Sequence, residues 1–405
     1  MTKKLLTTIQ RPAPNQPVSW LGGMTPAQFM KKHWQKKPLL VRNAFHGFVP
    51  PVSIEEVLGL CSDDLAQSRL VKKSKTKWSL DHGPFAPEQI PSVNKSNWTV
   101  LVQQVNTLLP AADRFLDAFR FVPEARLDDL MISVAGPDGG IGAHVDSYDV
   151  FLIQAAGKRR WEVATKFNPE LEDDVPLKIL RDFTAQNDWV LEPGDLLYLP
   201  PNVAHRGIAV GGGCMTWSVG FRAPARVALA DHAWAAHLDS LVDSDWQDPW
   251  LTATNHPGEI PGRLLKELTA QVLASFPKKS AVEAAVAAVL SEPAPAAVFD
   301  PPRRPAAPEK FWATAAKKGL RLASPSRLIY SGHAFFMNGE NLGLNLSKKE
   351  AEILKTLSDC RQLSKEICVA IGQDLSESPA KLRKSQDELR FALYDMYIAG
   401  WIVYH

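Results

Sequence analysis

The sequence predicts an α+β chain in which a β-barrel or sandwich comes first, a helical region second and a small mixed domain last. Three observations carry this expectation. From Leu130 to Phe221, short apolar or aromatic runs alternate with Gly, Pro, Asp and Asn, the texture of an antiparallel barrel or sandwich. Beyond Pro224, Ala, Leu and charged residues recur at helical spacing to about Leu290. A stretch dense in Pro and Ala, Glu292 to Pro308, then reads as a semi-rigid linker.

Taken in order, Thr25-Pro26-Ala27-Gln28 has the form of a helix start, with Thr25 as cap, Pro26 at the first helical position and Gln28 closing a capping box. That helix is expected to run to about Trp34. Pro38 to Val41 reads as a short buried strand and Ser53 to Leu60 as a second capped helix. Residues 68 to 105 show no clean period and receive no assignment. Strands are expected over Leu130 to Ala135, Asp149 to Gln154, Arg160 to Ala164, Trp189 to Leu191, Leu196 to Leu199 and Cys214 to Phe221. Glu192-Pro193-Gly194-Asp195 is a turn by chemistry, since Pro presets one torsion and Gly supplies positive φ.

After the linker, Leu328 to Tyr330 and Ala334 to Met337 are strands joined through a turn at Asn338-Gly339. Ser347 caps a helix with Glu350 three residues on, Ser358 to Ile371 holds another, and a longer one runs from about Ala380 to Tyr397. Gly400 stops it before a strand at Trp401 to Tyr404. This order resembles a winged helix. Lys381, Arg383, Lys384 and Arg390 are offset by Asp387 and Glu388, so charge argues neither for nor against nucleic-acid binding.

At 405 residues the chain is expected to hold two or three domains. Its 46 basic and 44 acidic residues leave a formal charge of +2, which names no partner. Basic residues concentrate locally, at Lys31, Lys32, Lys36, Lys37 and Arg42 and again at Lys72, Lys73, Lys75 and Lys77, as either solvated lysines or a surface for a polyanion. Cys61, Cys214, Cys360 and Cys368 are scattered, with neither a disulfide framework nor Cys-x-x-Cys metal spacing. No run resembles a signal segment or a bilayer span. A cytoplasmic protein is expected.

The chemistry concentrates at His144-Val145-Asp146 and at His205, 59 positions after Asp146. Side chains two apart on a strand share a face, so His144 and Asp146 can reach one ion while Val145 points away. His205 then arrives from another strand. Two imidazoles and one carboxylate suit Fe(II), Mn(II), Ni(II) or catalytic Zn(II). In Gly157-Lys158-Arg159-Arg160-Trp161, strand parity sets Arg159 and Trp161 on one face and Lys158, Arg160 and Glu162 on the other. Arg159 is the expected inward cation, able to fork onto a carboxylate such as that of 2-oxoglutarate. Ser133 is a second candidate for that carboxylate, and Tyr148 and Asp149 are candidates to face a substrate, although Asp149 also reads as a turn residue. A cupin-type metalloenzyme without oxygen chemistry, or a small-molecule-sensing regulator that binds nucleic acid, uses the same residues.

Gly142-x-His144-x-Asp146-x-Tyr148-Asp149-Val150-Phe151, Gly157 to Trp161, Glu192 to Asp195, Leu199-Pro200-Pro201 before His205, and Ser218-Val219-Gly220-Phe221-Arg222-Ala223-Pro224 together resemble the bacterial ribosomal oxygenases. These belong to the JmjC/cupin branch of the 2-oxoglutarate-dependent hydroxylases. The resemblance covers nearly the whole chain. It implies a double-stranded β-helix (jelly-roll) barrel over 1–223, a helical dimerisation region over 224–291, the linker at 292–308 and a winged-helix-like domain over 309–405. It implies a homodimer that uses Fe(II), 2-oxoglutarate and O2 to hydroxylate the β-carbon of an arginine in a large-subunit ribosomal protein, the sixteenth. His144, Asp146 and His205 match the family's iron ligands and Arg159 its 2-oxoglutarate residue. Lys158, Ala143 and the first 18 or so residues depart from the family pattern without touching those ligands.

Overall fold

The computed structural model describes residues 11–75, 77–373 and 388–405. It divides into two compact units: Met1–Ala223 with Pro293–Arg327 and Leu346–His405, and Pro224–Glu292 with Leu328–Asn345.

The first unit is built on one antiparallel sheet of β1 (Leu39–Val41), β2 (Ser68–Ser74), β3 (Lys77–His82), β4 (Trp98–Val102), β5 (Leu127–Ala135), β6 (His144–Val145), β7 (Val150–Ala164), β8 (Asn187–Leu191), β9 (Leu196–Leu199) and β10 (Ala204–Phe221). The strand order is β1-β9-β7-β10-β5-β4-β2-β3, with β6 on β10 and β8 on β7. This is the antiparallel jelly-roll the sequence predicted. The β7–β10 ribbon is its spine, pairing from Ala204 opposite Ala164 to Gly220 opposite Val150, with a register shift between Val210 and Met215.

Parity along these strands separates two faces. Ile132, Val134, Phe151, Ile153, Trp217, Val219 and Phe221 pack into the large core with Leu21, Phe29, Val57, Phe115 and Phe119. Phe29 comes from α1 (Pro26–Lys32), whose capping box joins Thr25 to Gln28 as predicted, and Val57 from α2 (Ile54–Leu60), where Ser53 forms a capping box with Glu56. The alternate residues look into the barrel. There Val150 and Leu152 join Trp161, Val163, Leu191, Leu197, Leu199 and Val203 in a second cluster. Burying a side chain of this size contributes about 1.5–3 kcal/mol, so both faces of the sheet are anchored by packing. The walls that carry the site are thereby fixed.

Several boundaries differ from the sequence reading. The two strands expected at 149–154 and 160–164 are one, β7, because pairing to β10 continues past Gly157, which takes φ of +60°. The strand expected to begin at Cys214 begins at Ala204, so the separate strand expected to bring in His205 is β10 itself. The region without a period holds β2, β3 and β4. The first helix stops at Lys32, capped by His33, rather than at Trp34.

Also in the first unit, α3 (Pro308–Lys318), β11 (Leu320–Leu322), α4 (Lys348–Cys360), β12 (Gln362–Leu363), α5 (Lys365–Gln373), α6 (Glu388–Ile398) and β13 (Ile402–Tyr404) follow a helix-and-wing order, with sheet order β12-β11-β13. Ser347 and Glu350 form the predicted capping box. The helix expected from Ala380 lies partly outside the described residues, as do Lys381, Arg383, Lys384 and Asp387.

The second unit comprises helices Arg226–Leu238, Gly262–Ala274 and Lys279–Ser291 with a three-stranded sheet over Leu328–Ser331, Ala334–Met337 and Glu340–Asn341. The Gly339 N–H donates to the Ser291 hydroxyl at 3.0 Å, tying the hairpin turn to the last helix. Residues 328–345 therefore fold with the helical region, where the sequence reading grouped them with 309–405. Phe335 and Phe336, on opposite faces of the hairpin, are both nearly inaccessible, and the helix Lys279–Ser291 packs against all three strands.

Candidate metal centre

His144 and His205 face each other as a register pair of β6 and β10. Their ring centroids are 4.2 Å apart. Asp146, at the end of β6, brings Oδ2 to 3.5 Å from His205 Nε2 and 3.9 Å from His144 Nε2. One potential ligand atom from each of the three lies within 4.8 Å of the others. Donors sharing one ion at about 2.1 Å stand roughly 3–3.5 Å apart, so small side-chain rotations close the cluster.

The imidazoles are already oriented. His144 Nδ1 lies 3.1 Å from the Gly142 carbonyl and His205 Nδ1 lies 3.0 Å from the Val203 carbonyl. A carbonyl only accepts, so Nδ1 carries the proton and each Nε2 lone pair points at the shared site. Burial, reinforced by the neighbouring His144, pushes the His205 pKa down to about 4 against the opposing pull of Asp146. A neutral imidazole, the form that binds metal, results. The turn before β10 is pinned as well: Asn202, at φ of +61°, donates its N–H to the Asp146 carbonyl at 2.9 Å.

Arg159 lies opposite Ala209 and Leu191 on the barrel's inner face, 5% exposed, with its guanidinium 5.8 Å over the Trp161 ring. Trp161 in turn packs 5.8 Å from His205. Among the described residues the Arg159 side chain has no hydrogen-bond or ion-pair partner, and its Nε and Nη2 are sealed from solvent. Its neighbours on the other face behave as expected, with Arg160 paired to Asp188 and Glu162 to Arg206. Ser133 is on the inner face of β5, in a cross-strand row with Leu101 and Thr216.

Tyr148 is 38% exposed, and burial of its hydroxyl beside Asp146 and Asp129 pushes that phenol above its ordinary range. Asp149 is fully buried and does not face the open side. It accepts from the Tyr198 hydroxyl at 2.5 Å and from Gln35 Nε2 at 3.0 Å, with Arg126 at 3.6 Å. Its substrate-facing assignment is thus corrected, because one carboxylate oxygen is held by Tyr198 of β9 and the other by Gln35 of the N-terminal segment.

Two inner-face residues escaped the sequence reading. Asp129 lies two residues before Met131 and four before Ser133 on β5; burial, then Asp128, lifts its carboxyl to about 6. Starting the strand at Leu127 instead of Leu130 would have revealed it by parity. Arg69, in β2, continues the row Leu101–Ser133–Thr216 and acts electrostatically on Tyr148. It fell in the region with no readable period.

Known proteins agree with this geometry. Residues 114–229 match the JmjC domain family and residues 268–383 the ROXA-like winged helix. The chain is 34% identical over 319 residues to the ribosomal protein uL16 3-hydroxylase of Escherichia coli K12, covering 78% of this chain and 84% of that protein. A probable ribosomal oxygenase of Haemophilus influenzae is also 34% identical, over 51% of this chain and 52% of its own. The crystal structure of E. coli YcfD superposes with a TM-score of 0.79 at 29% identity, covering 94% of this chain and 98% of that one. A structure of YcfD in complex with cobalt and 2-oxoglutarate gives 0.76 over the same shares, also at 29% identity. The chain belongs to the ribosomal oxygenases, the JmjC-domain family that its motifs resemble.

Proposed function

We propose that this protein is an Fe(II)- and 2-oxoglutarate-dependent hydroxylase of a ribosomal protein, uL16, acting on the β-carbon of an arginine. The observation that carries the reading is Arg159. A guanidinium buried without a counter-charge costs several kcal/mol, and here it sits in the same barrel as three converging metal-ligand side chains. A dicarboxylate held at one end by the ion and at the other by the Arg159 fork removes that cost. A hydrolytic or isomerising cupin has no use for such a cation. The relatives' names and the cobalt and 2-oxoglutarate complex of YcfD support the same reading.

In this reading His144, Asp146 and His205 hold the metal through Nε2 and carboxylate atoms, leaving positions for 2-oxoglutarate and O2. Bound iron would activate O2, one atom of which would enter the C–H bond and the other the succinate formed as 2-oxoglutarate loses CO2. The protein's own work is orientation and exclusion of water. Trp161, Val163 and Leu199 wall the inner end of the site. The exposed Tyr148 offers a hydroxyl, and Asp129, one oxygen of which accepts from the Gln104 N–H at 2.9 Å, a remaining carboxylate oxygen to a cationic side chain, which supports arginine over a neutral residue.

Homodimerisation belongs to the same proposal. In the second unit Val227, Leu238, Val242, Ile260 and Leu265 are all more than half exposed, an apolar surface that a partner copy would cover. Light scattering of wild type and of Leu265→Asp tests it; a wild-type monomer removes it. No role in nucleic-acid binding is assigned, and among the described residues no helix is long and apolar enough to cross a membrane.

The function is tested by incubating anaerobically purified, iron-loaded protein with 2-oxoglutarate, O2 and ribosomal proteins, followed by mass spectrometry. Gain of one oxygen atom on an arginine of uL16, with matching succinate, is expected. Succinate without any modified ribosomal protein would overturn the substrate while keeping the oxygenase.

A further inference from the structure

Arg69 also lacks a partner, although it is half-buried where Arg159 is buried, and it is not explained by 2-oxoglutarate. On β2 it pairs with Leu101 and His82, and Leu101 pairs with Ser133. Directly opposed residues of antiparallel strands point to one face, so Arg69 shares the inner face of Ser133 and Thr216. Its neighbour Leu70 is packed into the outer core. Among the described residues no carboxylate lies within ion-pair distance of Arg69, its side chain donates no hydrogen bond, and its Nε is sealed from solvent. The residue is half-buried and its terminal nitrogens still reach water, so an acceptor on a ligand would complete the one hydrogen bond that water cannot make, at Nε.

The two arginines stand in different parts of the barrel. Arg159 is on the β7–β8–β10 wall, against Trp161 and on the His205 face. Arg69 is on the outlying β4–β2–β3 wall, at the end of the strand order farthest from β7, in the inner-face row that runs through Leu101 to Ser133. Tyr148 and Asp129 are the groups assigned above to the substrate side chain. A cationic side chain is drawn to Asp129 and repelled by Arg69, whereas a peptide carbonyl is attracted to Arg69.

We infer that Arg69 is a substrate-binding residue that donates to a main-chain carbonyl of the substrate segment, fixing the direction in which that segment crosses the barrel mouth. With the side chain held at Asp129 and the backbone at Arg69, the β-carbon between them is the atom presented to the metal site. The inference rests on the proposed ribosomal-protein substrate and specifies how it is recognised.

The test is direct binding without turnover. Protein loaded with Mn(II) and 2-oxoglutarate under anaerobic conditions is titrated with uL16, and 2-oxoglutarate affinity is measured separately. Arg69→Met is expected to weaken uL16 binding by about ten- to a hundredfold, the loss of one charge-assisted hydrogen bond. Arg69→Lys, which keeps the charge and a donor, should fall between, and 2-oxoglutarate affinity should move by less than about twofold. An unchanged uL16 affinity in Arg69→Met overturns the inference alone. So does a loss of 2-oxoglutarate affinity, which would make Arg69 a cosubstrate residue, or an equal loss in the Lys variant, which would mark a packing role. Failure of the wild type to bind uL16 overturns the substrate reading and this inference together.

Discussion

At the root of β5, Arg120, Arg327 and Arg361 are buried among acceptors, whereas inside the barrel Arg159 is buried with none and the half-buried Arg69 also lacks a partner. Arg120 meets Glu124 at 2.9 Å, Asp113 at 3.7 Å and Asp117. Arg327 donates to the carbonyls of Glu124, Leu127 and Asp128, and Arg361 to those of Ser326, Ala323 and Ser324, with Glu124 at 3.6 Å. Burial favours the protonated form of Glu124, but Arg120, Arg361 and Arg327 together prevail and hold its pKa at about 2. Both regions remove charge from water; only one returns the lost hydrogen bonds within the chain. Satisfied burial fixes architecture, here joining residues 324–327 and Arg361 to β5, while unsatisfied burial marks where a ligand completes the structure.

The comparison is open to test, from the largest effect downward. His144→Ala should abolish metal retention and lower 2-oxoglutarate turnover by more than about a thousandfold, since a ligand set of two does not hold the ion; metal analysis and succinate release read this, and retained turnover would remove the site altogether. Arg327→Met should destabilise the protein by about 3–5 kcal/mol in denaturant unfolding, the cost of breaking a buried ionic network. Arg159→Met should do the reverse: 2-oxoglutarate KM rises by about a hundredfold, while the melting temperature without ligand stays level or increases because an unpaired buried cation is gone. If the two Arg→Met variants lost similar stability, the distinction between the regions would fail.

The smallest effect is a pH dependence. A carboxyl with a folded pKa below its unfolded value contributes stability above the unfolded pKa, and that contribution is lost as pH falls through the folded one. For Glu124 the interval runs from about 4.5 down to about 2. The stability difference between wild type and Glu124→Gln should therefore shrink as pH falls across that interval. A constant difference would mean that Glu124 is not held ionised by its arginines.

Legibility followed how local the determining physics was. Capping boxes at Thr25, Ser53 and Ser347 were readable because cap and partner lie three residues apart. Parity chose Arg159 over Arg160 because period-two alternation survives in any strand. Arg69 was unreadable: β2 shows no alternation of its own, and its meaning comes from register with β4 and β5. Asp149 misled because its partners, Gln35 and Tyr198, are 114 and 49 residues away.

By itself the sequence determined the ligand types and their spacing, the inward arginine and a barrel or sandwich, since each depends on residue identity and strand period; the jelly-roll class and the family came with the resemblance of its motifs. The tertiary structure decided that His205 pairs across from His144, that Asp149 is structural, that residues 328–345 fold with the helical region, and that Arg69 stands unpaired on the inner face. These depend on which strands become neighbours and on how much water reaches a charge. Both are settled by packing between segments far apart in the chain.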